Sequence, residues 1–364
     1  MIILFLLFVL AVGCAGFYYL LTRFRRFSFL NRLARGEKKR VTLFAALCVL
    51  ALCLPLLIWT FAAMTVILHL IIFWFLCDLI FNGIAKLRKR IFLRYYAGAA
   101  AFFVTAVYLC FGWYFSHHVY RTDYALQTQK SVPSVRVVLL ADSHLGEIMS
   151  GETFAEQLQS IQETAPDVVV ISGDFVDDDT SKEDLMTACS ALRELKTTYG
   201  VYFVFGNHDK GYFRSRDFTE EDLRTALSES NVTILEDEVV LLGESIYLVG
   251  RQDSTVKDRA EISALTADLD PSKYTIVLNH QPNDYENEAQ ANVDLVLSGH
   301  THGGHIFPLG VIGYILGAND QVYGIEQRNG TDFIVTSGIC GWGVPFKTGA
   351  ISEYVVIDIT SKAT

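Results

Sequence analysis

Acidic side chains are nearly missing from the first third of this chain: residues 1 to 116 contain only Glu37 and Asp78, against 13 lysines and arginines. The remaining 248 residues reverse the balance with 17 basic and 38 acidic side chains, so the two parts carry formal charges of about +11 and −21. That step predicts a domain boundary near Ser116. The larger part has no basic surplus, which argues against nucleic acid as a partner, because an acidic domain repels a polyphosphate. Cysteine is scarce where it would staple a fold. Cys14, Cys48, Cys53, Cys77 and Cys110 all lie in apolar runs, leaving Cys189 and Cys340, which read as two buried thiols, with a single bridge between them as the alternative. Basic residues are also missing ahead of Ile2, whereas Arg23, Arg25 and Arg26 follow the first apolar run; this favours an anchor over a cleaved signal peptide.

What the first part does have is long apolar runs, over residues 2–21, 41–59, 64–84 and 95–115, each near the ~20 residues a bilayer crossing needs. The second and third form one nearly uncharged stretch. As a single helix it would be about 66 Å long, twice the ~30 Å hydrocarbon thickness, so it must fold as a hairpin. Basic clusters flank the hairpin, Arg23 to Arg40 on one side and Lys86, Arg88, Lys89, Arg90 and Arg94 on the other, and both favour the cytoplasm. The expected topology has four transmembrane helices in residues 1–116, a polar linker over 117–134 and a domain over 135–364 on the extracytoplasmic side. His69 and Asp78 raise a transport reading. With two such residues and no inverted repeat, anchoring is the better account, Asp78 reaching the interface or Lys86.

The second part alternates short apolar runs with amphipathic ones. Val135 to Leu140, Val168 to Ile171 and Val201 to Phe205 read as strands buried on both faces, with helices near 154–164 and 182–195 between them. Later apolar runs add a second sheet, and the class is α/β. Five polar strings fall immediately after such runs: Asp142-Ser-His144, Gly173-Asp174-Phe-Val-Asp177, Gly206-Asn207-His208-Asp209, Asn279-His280 and Gly299-His300-Thr-His302-Gly-Gly304. Open α/β sheets bind ligands at that edge. A D-x-H pair offers a carboxylate oxygen and an imidazole nitrogen to one cation. A carboxylate such as Asp174 suits a bridging place, because two cations ~3.5–4 Å apart need a shared anion.

In number and order these strings resemble the calcineurin-like metallophosphoesterases, from about Val135 to the C-terminus. The resemblance implies a four-layer α/β/β/α sandwich and two divalent ions. Asp142, His144 and His302 would hold the first, Asn207, His280 and His300 the second, with Asp174 shared. Oxygen and nitrogen donors without thiolate suit Mn, Fe or Zn. It also implies that His208 protonates the leaving alkoxide and that Asp177 orients His208. Asp209 reads as a turn residue bonding local backbone. His305 stands where many relatives have glutamine, and is expected to be exposed and to face substrate.

The implied activity is hydrolysis of a phosphodiester or pyrophosphate bond in an envelope or lipid-linked substrate beside the bilayer; no protein partner is implied. The alternatives are a phosphomonoesterase, or a receptor or scaffold that keeps the fold without the chemistry. A scaffold is expected to have lost a ligand, and all seven positions are filled. Two apolar segments, 306–316 and 341–346, read either as loops covering the sheet edge or as a wall admitting an acyl or prenyl chain. Lys347 and Arg251 read as surface salt pairs or as phosphate contacts. Asn231-Val-Thr233 and Asn329-Gly-Thr331 are glycosylation sequons.

Overall fold

The computed structural model describes residues 2–89, 92, 94–212 and 215–362, and of residues 2–10 the backbone course only. The chain divides into two units, Met1–Phe111 and Gly112–Thr364.

The first unit is helical: α1 Ile2–Phe24, α2 Ser28–Leu33, α3 Lys38–Cys53, α4 Thr60–Arg88 and most of α5 Tyr96–His117. Among the described residues three helices are long and apolar enough to cross a membrane, Lys38–Leu57, Thr60–Arg88 and Tyr96–His117, in place of the four expected. The expected first span falls on α1, and the side chains of its first half lie outside the described residues. Arg90, one of the flanking basic residues, lies outside them as well. The hairpin break comes where Pro55, lacking an N–H, opens a 3-10 turn over Leu54–Leu57. Trp74 is fully buried in this unit and donates from Nε1 to the Tyr95 hydroxyl, which donates on to Asp78 Oδ1 (both 2.8 Å). Asp78 pairs with Arg23 (2.9 Å) and Arg26 (3.3 Å), not with Lys86. His69 donates from Nδ1 to the Thr65 carbonyl one turn earlier. Both polar residues thus have structural partners, as buried ionisable groups in apolar helices require.

The second unit contains β1 Val119–Thr128, β2 Val135–Leu140, α6 Gly151–Gln162, β3 Val168–Ser172, α7 Lys182–Arg193, β4 Val201–Val204, α8 Glu220–Glu229 and β5 Val232–Ile234. It continues with β6 Glu238–Leu242, β7 Ile246–Gly250, α9 Ile262–Thr266, β8 Tyr274–Leu278, α10 Tyr285–Gln290, β9 Leu295–Ser298, α11 Leu309–Ile315, β10 Gly324–Arg328, β11 Thr331–Val335 and β12 Ser352–Ser361. Two six-stranded sheets form, ordered β1-β12-β2-β3-β4-β5 and β10-β11-β9-β8-β7-β6. β2 to β5 run parallel in the first sheet, and β7, β8, β9 and β11 run parallel in the second.

Alternate residues of these strands feed different cores. Val138, Leu140, Val169 and Ile171 face α6, α7 and α8 through Phe154, Leu158, Leu185 and Leu223. Val137, Leu139 and Val170 meet Leu248, Ile276, Leu278 and Leu297 between the sheets. Val277, Val296 and Phe333 face α9 and α10 through Ile262 and Tyr285. The result is the four-layer α/β/β/α sandwich, and burial on both sides explains the continuous apolar runs of β3 and β8.

One expectation is corrected. The segment 117–134 is not a plain linker, because β1 occupies Val119–Thr128 and pairs in parallel with β12 over its whole length. Only Leu126 of its ten residues is buried, so this edge strand has the polar, alternating composition of a linker. His118 alone separates it from the end of α5.

Candidate metal centre

Parallel strands deliver their following loops to one edge, and the polar strings occupy those loops. Asp142 follows β2, Asp174 follows β3, Asn207 follows β4, His280 follows β8 and His300 follows β9. The two sheets are tied at this edge: Ser172 Oγ donates to the Leu297 carbonyl (3.2 Å), and both Asp142 oxygens accept from the His300 N–H (2.9 and 3.0 Å). The loops turn sharply. Asp142, His144, Asp174, His300 and His302 take φ of 56°, 37°, 51°, 71° and 48°, a left-handed conformation costing a non-glycine residue about 1–3 kcal/mol. Gly173 is needed where the turn is tightest: at φ 79° its Cβ would lie 2.6 Å from both the Gly206 nitrogen and His280 Nδ1.

Asp209 holds this arrangement from beneath. It is fully buried and accepts from the backbone nitrogens of Gly206 (2.7 Å), Asp174 (2.9 Å), Phe175 (2.8 Å) and Val176 (3.1 Å). It therefore binds backbone as expected, but mainly that of the neighbouring loop some 35 residues earlier in the chain.

Two clusters of donor atoms meet on this floor, Asp142/His144/His302 and Asp174/His280/His300, each with its ligand atoms within 4.8 Å of one another. His144, His280 and His302 all spend Nδ1–H on an outer partner, respectively Asp177 Oδ2 (2.8 Å), the Ser172 carbonyl (2.8 Å) and the Cys340 carbonyl (3.3 Å). Their Nε2 lone pairs are thereby turned inward, as for imidazoles fixed by an outer shell around a cation. Nε2 of His144 and Nε2 of His302 face each other at 3.2 Å, a place that a shared proton or a cation can fill. Asp174 Oδ2 lies 3.1 Å from His280 Nε2 and 3.7 Å from His144 Nε2, between the two clusters. Asn207 Oδ1 lies 3.2 Å from His280 Nε2, its amide nitrogen held by the Tyr212 hydroxyl (2.9 Å). All seven candidate ligands are brought together, and the oxygen and nitrogen donor set fits divalent cations.

Burial and mutual charge set the protonation of these donors. Burial pushes Asp142 up to about 6. Burial would also raise Asp174, but the charge and hydrogen bond of His280, with help from His144, outweigh it and hold its carboxylate well below the usual range. His280 is the reciprocal case: burial lowers it, and the charge and hydrogen bond of Asp174 more than restore it, carrying the imidazole to about 10, so that a proton and a cation compete for its Nε2. Burial, then the charge of His280, push His300 down to about 4, and burial with His144 keep His302 neutral.

A third group adjoins the clusters. His208 donates from Nδ1 to Asp177 Oδ1 (3.1 Å), while Asp177 Oδ2 accepts from His144 and from Trp342 Nε1 (2.7 Å). Burial lowers the pKa of His208, and the bond to Asp177 more than restores it, leaving it raised. Asp177 thus orients both the proposed acid and a candidate ligand. Trp342 belongs to the apolar segment 341–346, read from sequence as a covering loop or a wall; its bond to Asp177 was not anticipated, and its ring lies 5.1 Å from that of His208.

Three expectations are corrected. His305 is half-buried and not exposed: its ring lies 5.3 Å from that of His302, and burial, then the charge of Lys347, push it down to about 3. Lys347 is fully buried and donates to the carbonyls of Ser337, Gly338 (3.1 Å) and Ile351 (3.0 Å), fixing the loop against Asp142. Arg251 is buried too, paired with Asp284 and Glu288 at 2.8 Å each. Neither is a surface salt pair. Cys189 and Cys340 are buried free thiols.

Comparisons with known proteins locate the chain further. Residues 135–304 match the family described as "Calcineurin-like phosphoesterase". The chain is 30% identical over 251 residues to an "Uncharacterized metallophosphoesterase" of Aquifex aeolicus, covering 66% of this chain and 91% of that protein. An "Uncharacterized metallophosphoesterase" of Helicobacter pylori (strain J99) is 32% identical over 234 residues, covering 63% of this chain and 60% of its own length. A "Transmembrane protein with metallophosphoesterase domain" of Bos taurus is 32% identical over 241 residues, covering 61% and 52%. The chain thus spans little more than half the length of the last two.

Asp209→Asn tests the floor of this site. The new amide places an NH2 where a carboxylate oxygen accepts backbone N–H groups, so the full chain in detergent should lose on the order of 1–3 kcal/mol of stability. Unchanged denaturation would mean that the carboxylate does not hold the loops.

Proposed function

Because the chain belongs to the calcineurin-like phosphoesterases, we propose that it hydrolyses a phosphate ester at a dinuclear site held by Asp142, His144, Asp174, Asn207, His280, His300 and His302. The observation that carries this reading is the position of Asp174 Oδ2 between the His144 and His280 nitrogens, at 3.7 and 3.1 Å, where one anion serves two clusters. Two divalent cations there, of Mn, Fe or Zn, would supply Lewis acidity, lowering the pKa of water and polarising phosphoryl oxygens. The chain's own residues do the rest. His208, bonded through Nδ1 to Asp177, which favours its imidazolium form, donates its Nε2 proton to the leaving oxygen as the ester bond breaks. Trp342 and His144 hold Asp177 in place from its other oxygen, so the acid and the ligand set move as one unit.

A phosphodiester or pyrophosphate in an envelope or lipid-linked molecule is the substrate class we favour, since a leaving alkoxide or phosphate benefits from a positioned acid and the chain carries membrane-spanning helices. The test is hydrolysis of bis-p-nitrophenyl phosphate and p-nitrophenyl phosphate by the full chain, stripped of metal and reloaded with Mn²⁺, Fe²⁺ or Zn²⁺, beside Asp174→Asn. Metal-restored turnover, faster on the diester and reduced at least about 100-fold by the substitution, is expected. A folded, metal-loaded chain inert to both would favour the scaffold reading, and preference for the monoester would favour a phosphomonoesterase.

The proposed location is the cell membrane, multi-pass, with the second unit outside the cytoplasm. Two helices, Lys38–Leu57 and Thr60–Arg88, separate the basic clusters, so both clusters can face the cytoplasm, and Tyr96–His117 then carries the chain across. Protease added to intact cells should degrade the second unit. Protection until lysis would contradict this orientation.

A further inference from the structure

The segment after the last two histidines was expected to cover the sheet edge or to line a wall. Instead it forms α11, in which no residue is buried. Leu309, Val311, Ile312, Tyr314, Ile315 and Leu316 are 55%, 53%, 45%, 60%, 74% and 77% exposed, and residues 306–319 contain no charged side chain. A helix apolar on every face is at home in a protein core or in a membrane, and here no core receives it.

The fixing of its base indicates which. His305, just ahead of it, accepts at its carbonyl from the nitrogens of Thr348 (2.9 Å) and Gly349 (2.8 Å), and the Phe307 nitrogen donates to Thr348 Oγ1 (3.0 Å). Next to Thr348, the Lys347 nitrogen donates to the carbonyl of Gly112 (2.8 Å), near the end of α5. That end carries Trp113 and Tyr114, 48% and 41% exposed, the aromatic pair that membrane helices place at headgroup level. The root of α11 is therefore one short loop from the point where a membrane-spanning helix leaves the bilayer.

We propose that α11 lies in the interfacial layer of the bilayer that α5 crosses, its exposed apolar side chains among the upper acyl chains; its partner is a phospholipid surface. The inference rests on this placement and not on the hydrolase reading. If both hold, the metal clusters open beside the headgroups, since only three residues separate His302 from Ile306.

The test is photocrosslinking in the full chain. p-Benzoylphenylalanine is placed at Ile315, or at Met186, which is 47% exposed on α7, and the protein is reconstituted in nanodiscs of phosphatidylethanolamine and phosphatidylglycerol. Mass spectrometry should find phospholipid adducts at position 315 at least about tenfold above those at 186, and the same for a probe at Leu309, which guards against a local defect. Adducts at 315 and 309 no more frequent than at 186, or predominant crosslinks to a second copy of the chain, would overturn the proposal.

Discussion

Asp142, Asp174 and Asp209 are buried carboxylates that share one edge of this sandwich, and an uncompensated buried charge is too costly to leave alone. Asp142, Asp174 and Asp209 are 0%, 2% and 0% exposed, and each finds a different answer. Asp209 is met by four backbone N–H groups, Asp142 by the His300 N–H, and Asp174 by His280 and His144. The left-handed residues, the glycine at 173 and the outward-turned Nδ1 atoms are what these answers require of the chain. Between His144 and His302 two imidazole nitrogens face each other, a place that a shared proton or a cation can fill.

Much of this was legible in the sequence because parallel strands buried on both faces leave unbroken apolar runs, and the ligand strings follow those runs directly. The runs ending at Leu140, Ile171 and Leu278 marked both the strands and the places where Asp142, Asp174 and His280 would stand. Less was legible where the deciding contact is distant in sequence. Trp342 reaches Asp177 across 165 residues and Lys347 is absorbed by carbonyls of its own loop; no spacing rule encodes either. β1 escaped because an edge strand exposes one face and reads as a polar connector. Arg251 escaped because Asp284 and Glu288, its partners, come from a different element.

The helical unit obeys the same rule of compensated charge. Asp78 is buried, and Arg23, Arg26 and Tyr95 meet it there. The chain thus combines apolar helices, whose buried acid is paired internally, with an acidic domain whose buried acids gather beside histidines.

The most direct test of the central claim is anomalous diffraction from the full chain crystallised with Mn²⁺ or Zn²⁺. The account predicts two peaks about 3.5–4 Å apart on either side of Asp174 Oδ2, one beside His144 and His302 and one beside His280 and His300. A single peak, or none at this edge under saturating metal, would contradict it.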